Sequence, residues 1–481
     1  MLGIIPYPQK VTVVEGNVNR LKTIQKKIKK TGLGKEGYKV IVNNNETIIE
    51  AEDQRGLFYG EKTLEQLKEN LPLPCMVIED SPKYKHRGYM LDCCRHFFTV
   101  DEIKKQIDMM AQMKLNIFHW HLTEDQGWRI EIDKYPLLTE VGSKRKQTAG
   151  DNIPIEGYYT KEQIKEIVEY CKERCIEVIP EIDMPGHFTA AIAAYPFLSC
   201  TEKKIEVAEG FGIFPNIACA GKETTYKFCY DVLDEIIELF PYDYIHLGGD
   251  EALKLNWIDC PHCQKAIKEN NLKNEEQLQG YFMSQMVKYL NKKGKKAINW
   301  NDGMLADNIE GGISVQYWKQ SKECNEVVKT QSQKGREIII SPFFSYYLDY
   351  PHGMTPLKKT YNYQIDTEIE DKAIGLEAPL WTEHVADIKR VEVMTYPRLL
   401  AVAERAWTKN ADYGGFLQRL KLFEKLFEKH NINYCQDYNP NIIKGKLNVA
   451  RFFINALKKV GKGNIRAMKL TKKKLKKKYN N

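Results

Sequence analysis

Eight short apolar runs, separated by longer helical or irregular stretches, constrain the fold of this chain more than any other feature of it. They read "RGYMLDC" near 87, "NIFHWHL" near 116, "IEVIPEI" near 176, "YDYIHLG" near 242, "KKAINWN" near 295, "SVQYW" near 314, "EIIISPF" near 337 and "IGLEAPLW" near 374. Continuous apolar runs of this length suit strands buried on both faces, as in a parallel sheet. Between several of them lie amphipathic helical patterns such as "TVDEIKKQIDMMAQMK" and "TKEQIKEIVEYCKERC", with Thr99 and Thr160 placed to cap their N-termini. Eight strands alternating with helices predict an α/β chain built on a (β/α)8 TIM barrel, whose chemistry gathers at the C-terminal ends of the strands.

Upstream, "YKVIVNNNETIIEAE" reads as two strands around an Asn-rich turn, "RGLFYGEKTLEQLKENL" as a helix, and "LPLPCMVIEDSPKYKH" as a strand running into a linker. The expected organisation is a small N-terminal α/β domain over 1–82, a catalytic barrel over 83–430, and a C-terminal extension over 431–481 ending in a Lys-rich tail. No internal repeat is present. The formal charge of +8 belongs to that extension: Lys444 to Asn481 hold fourteen Lys and Arg and no acid, leaving 58 basic against 64 acidic groups, or −6, in the rest. The tail therefore reads as a solvated terminus, and neither nucleic acid nor membrane is expected as a partner. No run reaches the roughly 18 uncharged apolar residues of a membrane span. "MLGIIPYPQK" meets Pro6 before an apolar leader develops, so an unexported, cytoplasmic protein is expected.

Twelve cysteines are scattered over this large chain, which fits reduced thiols better than a disulfide framework. Cys260-Pro-His-Cys263 has the spacing of half a zinc site or of a redox pair. No second CxxC completes a four-ligand set, so no metal and no cofactor are expected.

Polar residues cluster where a barrel would use them. Arg87, Asp92 and Arg95 mark the first strand region, Asp125 the second, Asp183 and His187 the third, and Asp250 and Glu251 the fourth. Trp300, Trp318, Tyr347 with Asp349, and Trp381 with Glu383 follow on later strands. Two neighbouring carboxylates in a cleft repel as anions, so one is pushed to carry a proton at neutral pH and can act as a general acid. Adjacent side chains on a strand point opposite ways, so the pair would address different parts of one substrate. Tryptophans at strand ends make floors and walls for pyranose rings, while Arg, Asp and Glu fork onto hydroxyls.

"HLGGDE" resembles the signature of the β-N-acetylhexosaminidases of glycoside hydrolase family 20. "RGYMLDCCRHF", "FHWHLTEDQGWRIEI", "VIPEIDMPGH", "YYLD", "LWTEHV" and "PRLLAVAERAW" resemble further motifs of that family in the family's order, over roughly residues 1 to 430. The resemblance implies exo-hydrolysis of terminal, non-reducing β-linked GlcNAc or GalNAc with retention, the substrate's acetamide serving as nucleophile through an oxazolinium intermediate. The expected partners are N-acetylhexosamine-terminated oligosaccharides or glycoconjugates. By resemblance, Glu251 protonates the leaving oxygen and later activates water, Asp250 holds the acetamide N–H, and Asp125 and His187 tune the acid. Tyr347 bonds the acetamide carbonyl, Trp300, Trp318 and Trp381 enclose the acetamide methyl and the ring, and Arg87, Asp349 and Glu383 bind distal hydroxyls.

The chain departs from the family pattern at two places. Glu124 replaces the first Asp of an Asp-Asp pair, and "NWND" at 299–302 replaces Trp-x-Glu, leaving the role of Asp302 open. A rival from other chemistry is a metallohydrolase using His119 and His121 of "HWH" with His187 or His246. A non-catalytic sugar-binding barrel is a third reading, disfavoured because every catalytic position is filled.

Overall fold

The structure, a computed structural model, describes residues 2–149, 152–459, 469–471, 473–474 and 477–478. All eight apolar runs form strands of one closed parallel barrel: His86–Asp92, Ile117–His121, Glu177–Glu181, Tyr244–His246, Lys296–Trp300, Ile313–Tyr317, Ile338–Ile340 and Ala373–Leu380, neighbours in that order. Closure is made by the eighth strand against the first, in register from Gly375 opposite His86 to Leu380 opposite Leu91. The helices that follow the first and second strands start where the sequence places their caps. Thr99 and Thr160 each accept from the third helical amide, and Glu102 and Gln163 reach back to complete capping boxes. Such a cap contributes about 1 kcal/mol, and it fixes the helix entry so that Ile103, Ile107 and Met110, or Ile164, Ile167 and Cys171, face the barrel.

The N-terminal sheet has five strands in the order Lys10–Val18, Leu73–Asp80, Tyr38–Val42, Thr47–Ala51, Ile24–Ile28, with the helix Gln54–Lys68 packed on it. The two edge strands were not legible in the sequence, because most of their side chains face solvent and carry no clean alternation. Trp407, the last residue of the barrel helix Arg398–Trp407, is buried in this sheet's core. Its indole donates to Asp80 Oδ1 (2.9 Å), while Lys114 Nζ reaches Asp80 Oδ2 (3.2 Å) and the Tyr38 hydroxyl (2.7 Å).

After the barrel, the helix Ile442–Lys459 brings the Phe452 ring against Tyr350 (5.5 Å) and His384 (4.9 Å) at the cleft rim. The tail residues that are described do not hang free. Thr471 is buried, Lys474 pairs with Asp259, and Lys478 Nζ lies 2.7 Å from Glu275 Oε1. Acidic groups on the barrel surface thus collect part of the positive charge expected to be solvated. Among the described residues no helix is long and apolar enough to cross a membrane.

Candidate active site

The fourth strand stops at His246, and "LGGDE" leaves it as a turn. Gly248 has φ +63°, and a Cβ there would fall 1.8 Å from Asp183 Oδ1, so only glycine fits. The Gly249 amide donates to the same oxygen (3.1 Å). Glu251 (φ +48°) and His187 (φ +51°) also sit in the left-handed region, at a cost of about 1–2 kcal/mol each that surrounding contacts must offset. Because the chain is no longer a strand here, the alternate-face expectation for Asp250 and Glu251 fails. Both carboxylates lie beside one atom, His187 Nε2, at 3.6 and 3.9 Å.

The other face of that imidazole meets the second strand's loop. His187 Nδ1 is 2.7 Å from Glu124 Oε1 and 3.5 Å from Asp125 Oδ2. Asp125 Oδ1 is taken by the Thr189 amide (2.9 Å) and hydroxyl. Glu124, which replaces the first Asp of the family's pair, is therefore the nearer carboxylate, and Arg95 (3.1 Å) and His121 (3.3 Å) hold its other oxygen. Burial disfavours ionised Glu124, but Arg95 and His187 outweigh it and keep the carboxyl well below its usual range. Burial alone would lower His187, yet Glu124, Asp250 and Asp183 hold it well above the ordinary imidazole value, as a cation. Burial pushes Asp125 up, and burial followed by Asp250 pushes Asp183 far up. Glu251 is raised to about 7 by burial and then by the Asp250 charge, although a quarter of its side chain opens to the cleft.

Asp302 has a clear place. It accepts from the Trp318 indole (2.9 Å), Lys319 Nζ (3.0 Å) and, weakly, the Glu251 amide (3.4 Å), so it ties the sixth strand to the acid pair. Trp318 stacks on Tyr347 (centroids 5.8 Å, 22° between planes), and Trp381 closes the wall 6.4 Å from Tyr347. Trp300 does not line the cleft directly. It is buried 5.8 Å behind Trp381, its indole on Glu181 Oε1 (2.7 Å). Asp349 and Glu383 line the same cleft, together with Arg95, Phe343 and Tyr350. Burial and then Glu383 raise Asp349 well above the carboxylate range, and burial keeps the Tyr347 phenol neutral. Asp250 Oδ1 and Asp349 Oδ1 are buried without a hydrogen-bond partner among the described residues.

Arg87, a second expected residue, is not brought to the cleft either. Arg87 stands near the start of the first strand, five residues before Asp92, about 16 Å from the strand's C-terminal end. It is fully buried and binds Glu36 of the small sheet (3.0 Å), the Tyr59 hydroxyl (3.1 Å) and the Lys114 carbonyl (2.9 Å). Arg95 occupies the cleft instead, paired with Asp92 (3.2 Å) and Glu124 and lying over the Trp381 ring (5.0 Å). Strand direction, applied to "RGYMLDCCRHF", was the signal that separates the two. A cavity of about 510 Å³ near Arg87's end of the barrel is lined by Glu36, Arg55 and Tyr242, and the acid pair is not there.

The HxH histidines point into the barrel interior. His119 Nδ1 is 2.8 Å from Glu377, and His121 Nδ1 is bonded to Glu181. Burial opposes their charging, but these carboxylates raise them to about 9 and about 10, so both rings are held in ion pairs across the barrel interior. Both histidines thus do the packing and hydrogen bonding of a barrel interior.

Residues 84–410 match the model of the glycosyl hydrolase family 20 catalytic domain, and residues 13–81 match domain 2 of that family. A beta-hexosaminidase of Porphyromonas gingivalis is 40% identical over 432 residues, 84% of this chain and 55% of that protein, so the chain spans about half of that relative. A beta-hexosaminidase of Akkermansia muciniphila is 35% identical over 426 residues, covering 84% of this chain and 86% of its own. Among solved structures, that of a beta-N-acetylhexosaminidase superposes with TM-score 0.87 at 31% identity, covering 92% of this chain and 98% of the other. The exo beta-N-acetylglucosaminidase of Vibrio harveyi in complex with N-acetylglucosamine gives 0.82 at 28% identity, covering 90% and 78%.

Proposed function

Because the chain belongs to glycosyl hydrolase family 20, we propose that its cleft removes single β-linked GlcNAc or GalNAc residues from non-reducing ends, with retention and with the substrate's own acetamide as nucleophile. The observation that carries this is the pairing of a protonatable Glu251 with an Asp250 oxygen that has no hydrogen-bond partner among the described residues. Glu251 donates its proton to the glycosidic oxygen as the bond to C1 breaks. Asp250 accepts the acetamide N–H and offsets the positive charge growing on the oxazolinium ring, while the neutral Tyr347 hydroxyl donates to the acetamide carbonyl and aims it at C1. Trp318 and Trp381 wall the ring, with Trp300 bracing Trp381 from behind. Glu251, now a carboxylate, then takes a proton from water as it opens the oxazolinium from the β face. His187, held cationic by Glu124, steadies both carboxylates through the cycle.

Rates on aryl β-GlcNAc, β-GalNAc, β-glucoside and 6-phosphorylated GlcNAc glycosides test the reading. Good turnover of the β-glucoside, which lacks the nucleophile, sinks it. The pH dependence follows from the acid: kcat/KM on a disaccharide falls as pH rises through about 7, where Glu251 loses its proton. A rate that climbs through the same window reverses the assignment.

The exchange of Arg87 for Arg95 has its own test. Arg95→Lys keeps the charge and loses the fork, so kcat/KM is expected to fall roughly 10- to 100-fold, the 1.5–3 kcal/mol of a hydrogen bond to a charged group. Arg87→Met leaves KM unchanged and destabilises the fold by about 3–5 kcal/mol, since Glu36 loses its buried partner. Denaturant unfolding with Michaelis kinetics on both variants reads the difference.

A further inference from the structure

Four cysteines that no spacing rule groups meet at one point beside the acid pair's loop. Cys219 Sγ lies 3.6 Å from Cys263 Sγ and 3.8 Å from Cys260 Sγ, Cys200 Sγ lies 3.7 Å from Cys263 Sγ, and all four sulfurs fall within 4.8 Å of one another. Disulfide pairing would single out one partner for each sulfur, whereas Cys219 and Cys263 each have two at nearly equal range. A tetrahedron of thiolates around an ion at the zinc–sulfur distance of about 2.3 Å has edges of about 3.8 Å. We infer that Cys200, Cys219, Cys260 and Cys263 form a structural zinc site.

The surroundings are shaped for it. Cys260 caps the nine-residue helix Pro261–Glu269, Pro261 takes the first helical position, and Cys263 falls on the same turn, so both sulfurs sit over the positive end of the helix, which favours thiolate. Ser199 bridges Ala218, and the Cys219 amide donates to the Leu198 carbonyl (2.8 Å), which lines up Cys200 and Cys219 as the second pair. A Cβ on Gly221 would lie 2.2 Å from the His262 carbonyl carbon, so the Cys219 loop closes on the helix start without a gap. Three of the four cysteines are buried and the fourth is partly so. Four sulfur ligands leave no open position, which makes the site structural, and each thiol gives up its proton as the ion binds. Residues 252–263 run directly from Glu251, and the Trp257 indole donates to the Ala218 carbonyl (2.9 Å) while the Ala218 amide donates to the Pro185 carbonyl (2.9 Å). The ion would therefore fasten the segment behind Glu251 to the one that carries His187. The sequence argued against metal for want of a second CxxC; here two residues nineteen positions apart supply it through one antiparallel bridge.

The test uses the whole chain purified under reducing conditions without added zinc. Elemental analysis is expected to give close to one zinc per chain, and p-hydroxymercuribenzoate should release it as the thiols are titrated. Growth with cobalt should give the visible bands of tetrahedral cobalt thiolate. Cys200→Ser and Cys263→Ser should each lower bound zinc at least tenfold and lower Tm. If either variant fails to fold, the metal content and cobalt spectrum of the wild type decide. Zinc below a tenth of an equivalent with no uptake from added zinc chloride, or an intact mass showing two disulfides in a parallel preparation made without reductant, overturns the assignment.

Discussion

Glu251→Gln is expected to fold as the parent does and to turn over a GlcNAc disaccharide about 10²- to 10⁴-fold more slowly, the usual contribution of a positioned general acid. The amide keeps the size of the side chain and can still hydrogen-bond, so binding should change little. It has no proton to give. On an aryl glycoside whose leaving group departs unaided, the loss in the first step should shrink, and the ratio of the two losses is the diagnostic quantity. Near-parental turnover of the disaccharide would remove Glu251 from this role.

Asp250→Asn attacks the other half of the reaction. An amide oxygen can still accept the acetamide N–H, but it carries no charge to set against the forming oxazolinium, so kcat should fall about 10²- to 10³-fold, the scale of losing one preorganised electrostatic group. The variant should also move the alkaline limb of the pH profile to lower pH. Part of what raises Glu251 is repulsion from the Asp250 anion, and with that anion gone the acid loses its proton earlier. A thiazoline mimic of the oxazolinium should inhibit the parent strongly and this variant far less. A 2-fluoro glycoside that traps a covalent adduct on Asp250 or any other carboxylate would replace the mechanism with a protein nucleophile.

The barrel was legible because burial on both faces writes itself into short apolar runs, and all eight were visible. The capped helices were legible for an equally local reason, one threonine and one reciprocating side chain each. What escaped the reading depends on geometry that lies beyond local pattern. Arg87 and Arg95 look alike in a motif, yet one opens a strand and the other follows its end. Glu124 and Asp125 are neighbours, and only the Thr189 contacts show why the longer side chain reaches His187 first. Trp300 resembled a wall residue because position on a strand end says little about depth. The cysteine cluster joins segments that no sequence spacing relates.

The seam between the small sheet and the barrel carries a consequence for anyone who would cut the chain. Residue 82 separates two segments in sequence, but it does not separate two independent free energies. Asp80 is buried among Tyr38, Lys114 and the Trp407 indole, Glu36 faces Arg87, and Trp407 fills the sheet's core from a helix that starts at Arg398. A fragment ending before residue 82 would keep the Asp80 carboxylate, lose the ammonium that neutralises it, and gain a hole the size of an indole. A barrel fragment beginning after it would strand Lys114 and Arg87 without their counter-ions. The two units are thus one cooperative body, in which the small sheet is part of what holds the first strand of the barrel at its position.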